Sequence, residues 1–416
     1  TSAATAVTVT PLPTVASITG NTGVCVGSTT TMSSATTGGV WTSSNTGVAT
    51  ISTGGVVTGV TAGTTTITYT VTVGGCTNTA TTTVTVNSLP TATIAAASAT
   101  TFCDGGSVTL MGPSAPAGMT YTYVWNLNGT AITGATGNTY IAAASGSYTV
   151  TVTNNNGCSA TSAATVVTEN PLPTVAAITG TTSVCVGSGT TLANATTGGT
   201  WSSSNTATAT VNASTGVVTG VNAGTVTITY TVTDANGCIN TATATVTVNA
   251  LPTPTITASG ATTFCSGSSV VLTASSASTY QWNLNGTAIA GATSATYTAT
   301  AAGSYSVTVT NANGCTATSG ATSVTVNALP TATVTAGGST TICDGTSVSL
   351  SANAGTGYTY QWSNGSADQT ISVSASGSYT VTVTDLNGCS TTSAATAVTV
   401  TPLPTVASIT GNTGVC

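Results

Sequence analysis

The side chains of this sequence best suited to covalent chemistry are its 11 cysteines, and they recur in order. They fall as Cys25 and Cys76, Cys103 and Cys158, Cys185 and Cys238, Cys265 and Cys315, Cys343 and Cys389, with Cys416 last. One tryptophan stands inside each pair: Trp41, Trp125, Trp201, Trp282 and Trp362. Paired, recurring cysteines in small modules point to disulfides and an oxidising, extracellular compartment. Other chemistry lacks its groups. The chain has no His, Lys or Arg in 416 residues. That removes the imidazole base, the histidine metal ligand, the Schiff-base amine and the cationic oxyanion clamp. Six acids remain, at Asp104, Glu169, Asp234, Asp344, Asp368 and Asp385, and they are scattered. Asp234 and Asp385 precede Asn-Gly turns, and the equivalent turns offer Asn154 and either Thr310 or Asn311. Such a residue caps turn N–H groups more readily than it builds a calcium site. No catalytic residue, cofactor or metal is expected.

The charge balance limits partners. A chain without a cation cannot neutralise phosphates, which excludes nucleic acid, and an anionic lipid surface does not attract it. No uninterrupted apolar run approaches the ~20 residues of a membrane helix, so no membrane insertion is expected. Thr, Ser and Asn must hydrate the surface instead. Asn-X-Ser/Thr triplets begin at Asn128, Asn194, Asn212, Asn285 and Asn364, which leaves glycans open as partners.

The elements that position the cysteines are strands. Tyr148–Thr153, Tyr305–Thr310 and Tyr379–Thr384 alternate apolar and small polar residues, the period of a strand with one buried face. Ile67–Val71 and Ile228–Val232 repeat the pattern. Asn-Gly follows four of these runs, at 156–157, 236–237, 313–314 and 387–388, and Gly74-Gly75 follows the other. Both dipeptides suit hairpin turns. About seven short strands per module predict an all-β fold, a tandem array of β-sandwiches with each tryptophan in a core.

The array has two periods. Leu-Pro recurs at positions 12, 89, 172, 251, 329 and 403, in steps of 77, 83, 79, 78 and 74 residues. Residues 1–25 and 392–416 are identical, so five modules make one period of 391 residues. The predicted boundaries are 1–11 (final strand of a preceding module), 12–88, 89–171, 172–250, 251–328, 329–402 and 403–416 (start of the next). Proline stiffens each joint. The expectation is a window on a longer array, and such arrays serve as structural or display devices.

Two resemblances carry this further. Trp41-Thr-Ser-Ser-Asn45, Gly55-Val-Val-Thr-Gly59 and Ala62-Gly63, with Trp201-Ser-Ser-Ser-Asn205, Gly216-Val-Val-Thr-Gly220 and Ala223-Gly224, resemble the bacterial immunoglobulin-like group 2 family. Modules 89–171, 251–328 and 329–402 share Gly-Ser-Tyr and Asn-Gly-Cys, as in Gly303-Ser-Tyr305 and Asn313-Gly-Cys315. They resemble the Ig-like and PKD-like repeats of giant secreted surface proteins of Bacteroidota. The resemblances imply an extracellular adhesin, stalk or filament.

In an Ig-type sandwich the first cysteine of each module falls at the A–B turn and the second after the F–G turn, at opposite poles. Modules stacked head to tail bring those turns together across a boundary. The expected bridges are therefore Cys25–Cys158, Cys103–Cys238, Cys185–Cys315 and Cys265–Cys389. Cys343 is then left for the copy of Cys76 in a following period, and Cys76 and Cys416 also find partners outside the window. The alternative joins the two cysteines of each module, and connectivity does not follow from sequence alone. The functional expectation is an extracellular, cell-surface filament that self-associates through identical repeats. The alternatives are the stalk of a large adhesin and, against the missing catalytic groups, an enzyme or its accessory module.

Overall fold

The structure is a computed structural model that describes residues 3–406. Cys416 and most of the predicted segment 403–416 lie outside the described residues. Among the described residues all regular elements are strands. The chain divides into two compact units. The first holds the residues up to Ala176 with Thr196–Gly199 and Thr231–Thr241; the second holds Ala177–Ala195, Thr200–Tyr230 and the residues from Ala242 onward.

Within the first unit, the module that follows Leu89-Pro90 shows how alternation becomes a sandwich. One sheet orders Thr139–Ala142, Val108–Met111 and Ala95–Ala96; the other is built around Tyr121–Leu127, Gly146–Asn154 and Thr165–Asn170. Val108, Leu110 and Ala142 from the first sheet meet Trp125, Tyr148, Val150, Val152 and Val167 from the second in one buried cluster. In the second unit Val270, Leu272 and Ala299 meet Trp282, Tyr305, Val307, Val309 and Val324 in the same way. Val348, Leu350, Ile371 and Val373 likewise meet Trp362, Val381, Val383 and Val398.

The tryptophans anchor these cores. Trp125 and Trp282 are fully buried, and their indole N–H groups donate to the carbonyls of Gly137 and Ser294 at 2.9 and 3.0 Å. Trp362 donates to the Asp368 carbonyl at 2.8 Å. Trp201 is buried. Trp41 departs from the expectation of a core residue: it packs against its cluster but remains half-buried, tilted against Tyr69 at a centroid distance of 4.4 Å. Ile132 and Ala135 pack on the core that holds Trp125, and Ile289 and Ala292 do so at Trp282.

Tyrosines fix the start of the strand that leads to three of the Asn-Gly turns. The Tyr148, Tyr305 and Tyr379 hydroxyls donate to the carbonyls four residues upstream, of Ala144, Ala301 and Ala375, at 2.9–3.0 Å. This is the tyrosine corner of Ig-type sandwiches. Burial raises the Tyr148 and Tyr305 phenols above their ordinary pKa, with Tyr140 and Tyr297 adding to the effect, so both stay neutral donors.

On the longest hairpin the outward positions are almost all threonine. Gly63–Val73 pairs with Cys76–Asn87, and five rungs of that ladder join Thr64 to Thr85, Thr66 to Thr83, Thr68 to Thr81, Thr70 to Thr79 and Thr72 to Thr77. The residues between them, Thr65, Ile67, Tyr69 and Val71, are buried. β-branching suits threonine to this ladder, and its hydroxyl hydrates a face that has no charge.

The predicted strand over residues 1–11 does not form in residues 3–11. The hexapeptide Thr-Ala-Val-Thr-Val-Thr is exposed and irregular at 5–10 but a strand at Thr396–Thr401. The second copy has partners, in Thr341–Cys343 on one side and Gly377–Tyr379 on the other. A strand is a property of its neighbours as much as of its own residues.

Truncating Trp282 to Ala is expected to destabilise its module by about 3–5 kcal/mol. Calorimetry of the full chain would show that module's transition moving to lower temperature while the others hold.

Candidate functional site: the cystine junction

The site begins with a three-residue strand. Gly23–Cys25 runs parallel to the end of Cys76–Asn87 and sets Cys25 opposite Asn87. The same parallel pairing sets Cys103 opposite Asn170, Cys185 opposite Asn249 and Cys265 opposite Asn327. Each of these asparagines is the last residue of its strand, next to the chain's exit into the following module. The first cysteine therefore stands at the exit pole. The Gly-Val-Val-Thr-Gly motif makes room for it. A Cβ on Gly59 would lie 2.7 Å from the Cys25 carbonyl oxygen, and one on Gly220 would lie 2.8 Å from that of Cys185. Only glycine admits so close a backbone approach.

The second cysteine is held by its turn. Asn154 Oδ1 accepts the N–H groups of Asn156 and Cys158 at 3.1 and 3.0 Å. Asp234 does the same for Asn236 and Cys238 at 2.9 and 2.8 Å, and Asp385 for Asn387 and Cys389 at 2.9 and 2.8 Å. In the remaining case the acceptor is Asn311, not Thr310, with both distances 3.0 Å. Asparagine adds a bond that aspartate cannot make. Asn154 Nδ2 donates to the Ser88 carbonyl at 3.1 Å, and Asn311 Nδ2 to the Ala250 carbonyl at 3.0 Å, both just past the preceding module's last strand. The turn thus docks where the previous module ends, and the sequence gave no sign of the amide bonds that seat it.

These placements bring together Cys25 with Cys158 and Cys103 with Cys238 in the first unit, and Cys185 with Cys315 and Cys265 with Cys389 in the second. Sulfur–sulfur distances are 1.98–2.01 Å and Cα–Cα distances 5.5–5.6 Å. A bridge inside a module is geometrically closed off. Cys76 opens the strand whose far end, eleven residues on, lies beside Cys25. At ~3.4 Å per residue that is ~37 Å, against a Cα–Cα reach of ~7 Å. The second cysteines Cys158, Cys238, Cys315 and Cys389 are fully buried, and the first members are half-buried. Cys76 and Cys343 are unbridged.

The aspartates at the turns are occupied by backbone N–H groups. Asp104 and Glu169 line a small cleft with Pro171, and no cation stands beside them. The bonded sulfurs hold modules to one another.

These features define the class of the protein as a tandem array of Ig-like β-sandwiches cross-linked at their joints. Residues 171–246, the third module, match the family of bacterial Ig-like domains (group 2). No curated protein matches the sequence. Among solved structures the chain is similar to the N-terminal eight Ig domains of a Down Syndrome Cell Adhesion Molecule isoform, at 13% identity and a TM-score of 0.22. That match covers 93% of this chain and 61% of the other, so this chain spans about three fifths of its length. It is also similar to an ICAM-5 D1–D4 ectodomain fragment, at 12% identity over 75% of this chain and 99% of the other, with a TM-score of 0.32. A third is Drosophila OTK, extracellular domains 3–5, at 15% identity over 55% of this chain and 93% of the other, with a TM-score of 0.21.

Asp234→Ala is expected to cost about 1–3 kcal/mol, because the N–H groups of Asn236 and Cys238 lose a charged acceptor. Asp234→Asn should cost far less, since Asn154 and Asn311 already fill that role. Thermal unfolding of the two full-length variants separates these outcomes.

Proposed function

We propose that this chain is a structural, extracellular repeat protein that forms a cell-surface filament from tandem Ig-like modules. The observation that carries the reading is the cystine at each of four successive boundaries. The covalent loops overlap along the sequence, 25–158 with 103–238, then with 185–315, then with 265–389. Domains that serve by swinging freely on tethers gain nothing from cross-linked joints; a load-bearing array does. The cystines also support an oxidising location outside the cell. The resemblance of the other modules to Ig-like and PKD-like repeats of secreted surface proteins supports the same setting, and the bonded sulfurs and capped aspartates support a non-enzymatic role.

Self-association through identical repeats follows from the 391-residue period, because equal repeats present equal contacts. Without cations these contacts rest on apolar packing, strand edges and the hydroxyls of threonine rungs, not on ion pairs. Sugars on the Asn-X-Ser/Thr triplets would decorate such a surface; nucleic acid and lipid find no cation to meet. The stalk of a large adhesin is the competing reading, and it needs length without lateral order.

Electron microscopy of native material decides between them. Ordered fibres with an axial repeat set by five modules, unchanged between low and high NaCl with calcium held constant, are expected. Single unassociated chains would favour the stalk, and fibres that dissolve in salt would refute the uncharged interface.

A further inference from the structure

Cys76 and Cys343 each sit where a bonded cysteine sits elsewhere. Cys343 ends a short strand parallel to Thr399–Thr401 and stands opposite Thr401, as Cys25 stands opposite Asn87 and Cys185 opposite Asn249. Cys76 follows its hairpin turn, and its Sγ lies 3.5 Å from the Thr10 carbonyl oxygen. At bonded junctions that place is taken by the last strand residue of the preceding module: Cys158 Sγ lies 3.9 Å from the Asn87 carbonyl oxygen and Cys315 Sγ 3.9 Å from that of Asn249. So Cys76 has a seat for one residue, and Cys343 stands in register beside one residue. By the 391-residue period, Thr10 and Thr401 are the same residue. Their surroundings differ. Residues 5–10 are exposed and form no strand, whereas Thr396–Thr401 are paired on both sides. Replacing the first by the second gives up no sheet pairing.

We propose that Cys76 and Cys343 are the two halves of a fifth junction, closed between two copies of this sequence. Strand Thr396–Thr401 of one copy takes the place of residues 5–10 of the other, Thr401 occupies the seat of Thr10, and Cys343 bonds Cys76. The bond needs a disulfide oxidant. The thiolate of one cysteine attacks the oxidant's disulfide and releases one thiol. The second cysteine then attacks the mixed disulfide and releases the other. Two protein thiols are oxidised, and one small-molecule disulfide is reduced to two thiols. The inference rests on the filament reading only in requiring copies to meet end to end.

The test uses the full chain with Cys416→Ser, to remove the thiol that duplicates Cys25, and oxidised glutathione as the oxidant. Cys76→Ser and Cys343→Ser are prepared separately; neither touches a formed bridge, and calorimetry confirms that both variants fold. Mixed together they are expected to give a covalent dimer at ten times or more the yield of either alone, with an elastase peptide joining Cys76 to Cys343. A mixture that does not link, or a single variant that links as well as the mixture, overturns the proposal. Ordered fibres from native material together with an unlinked mixture would leave the filament reading standing and remove only this junction.

Discussion

The parallel pairing of a three-residue strand with the last strand of its own module is the constraint on which the rest depends. A parallel neighbour runs the same way as the exiting chain, so the residue that ends the short strand is delivered to the exit pole. In this protein that residue is a cysteine, and Asn87, Asn170, Asn249 and Asn327 mark the place. An antiparallel neighbour on the same three rungs would have ended opposite Thr85, about 7 Å back from the exit. The register and direction of one short strand therefore set Cys25 at the joint.

The second constraint is the absence of cations. Stability and solubility both fall to groups that carry no charge. Inside, one tryptophan per module and a layer of Val, Leu and Ile supply the apolar burial. Outside, threonine serves twice, since its methyl and branching favour the strand and its hydroxyl meets water. At the turns, Asn and Asp side chains satisfy backbone donors that a loop would otherwise leave to solvent. The cystines then add what a small core lacks. By the loop model, closing 124–135 residues instead of about 50 changes the denatured-state entropy by less than ~1 kcal/mol, so their stability advantage over internal bridges is slight. What distinguishes them is mechanical: each ties the end of one module to the start of the next.

Much of this was legible in the residues. Period-two alternation gives strands because one face is buried; Asn-Gly gives turns because it tolerates φ > 0; Cys and Trp recur because each module repeats one packing problem. The expected place of the first cysteine at the A–B turn already indicated its pole. Less legible was the support around it. The turn acceptor in the fourth module could have been Thr310 or Asn311, because both are short and polar, and only the path of the backbone selects Asn311. The burial of Trp201 and the partial exposure of Trp41, in modules of one sequence pattern, are likewise not reported by either residue.

Sequence by itself determined the fold class, the module rhythm, the lack of cationic groups and the identity of the cysteines, because each is a matter of residue type and spacing. Tertiary structure decided which cysteine meets which, which polar atom caps each turn, and whether a given hexapeptide is a strand. Thr-Ala-Val-Thr-Val-Thr makes the point within one chain, irregular at 5–10 and a paired strand at 396–401. Its residues are the same in both places. What differs is the neighbour that offers backbone donors and acceptors at strand distance, and a sequence does not record where its neighbours lie.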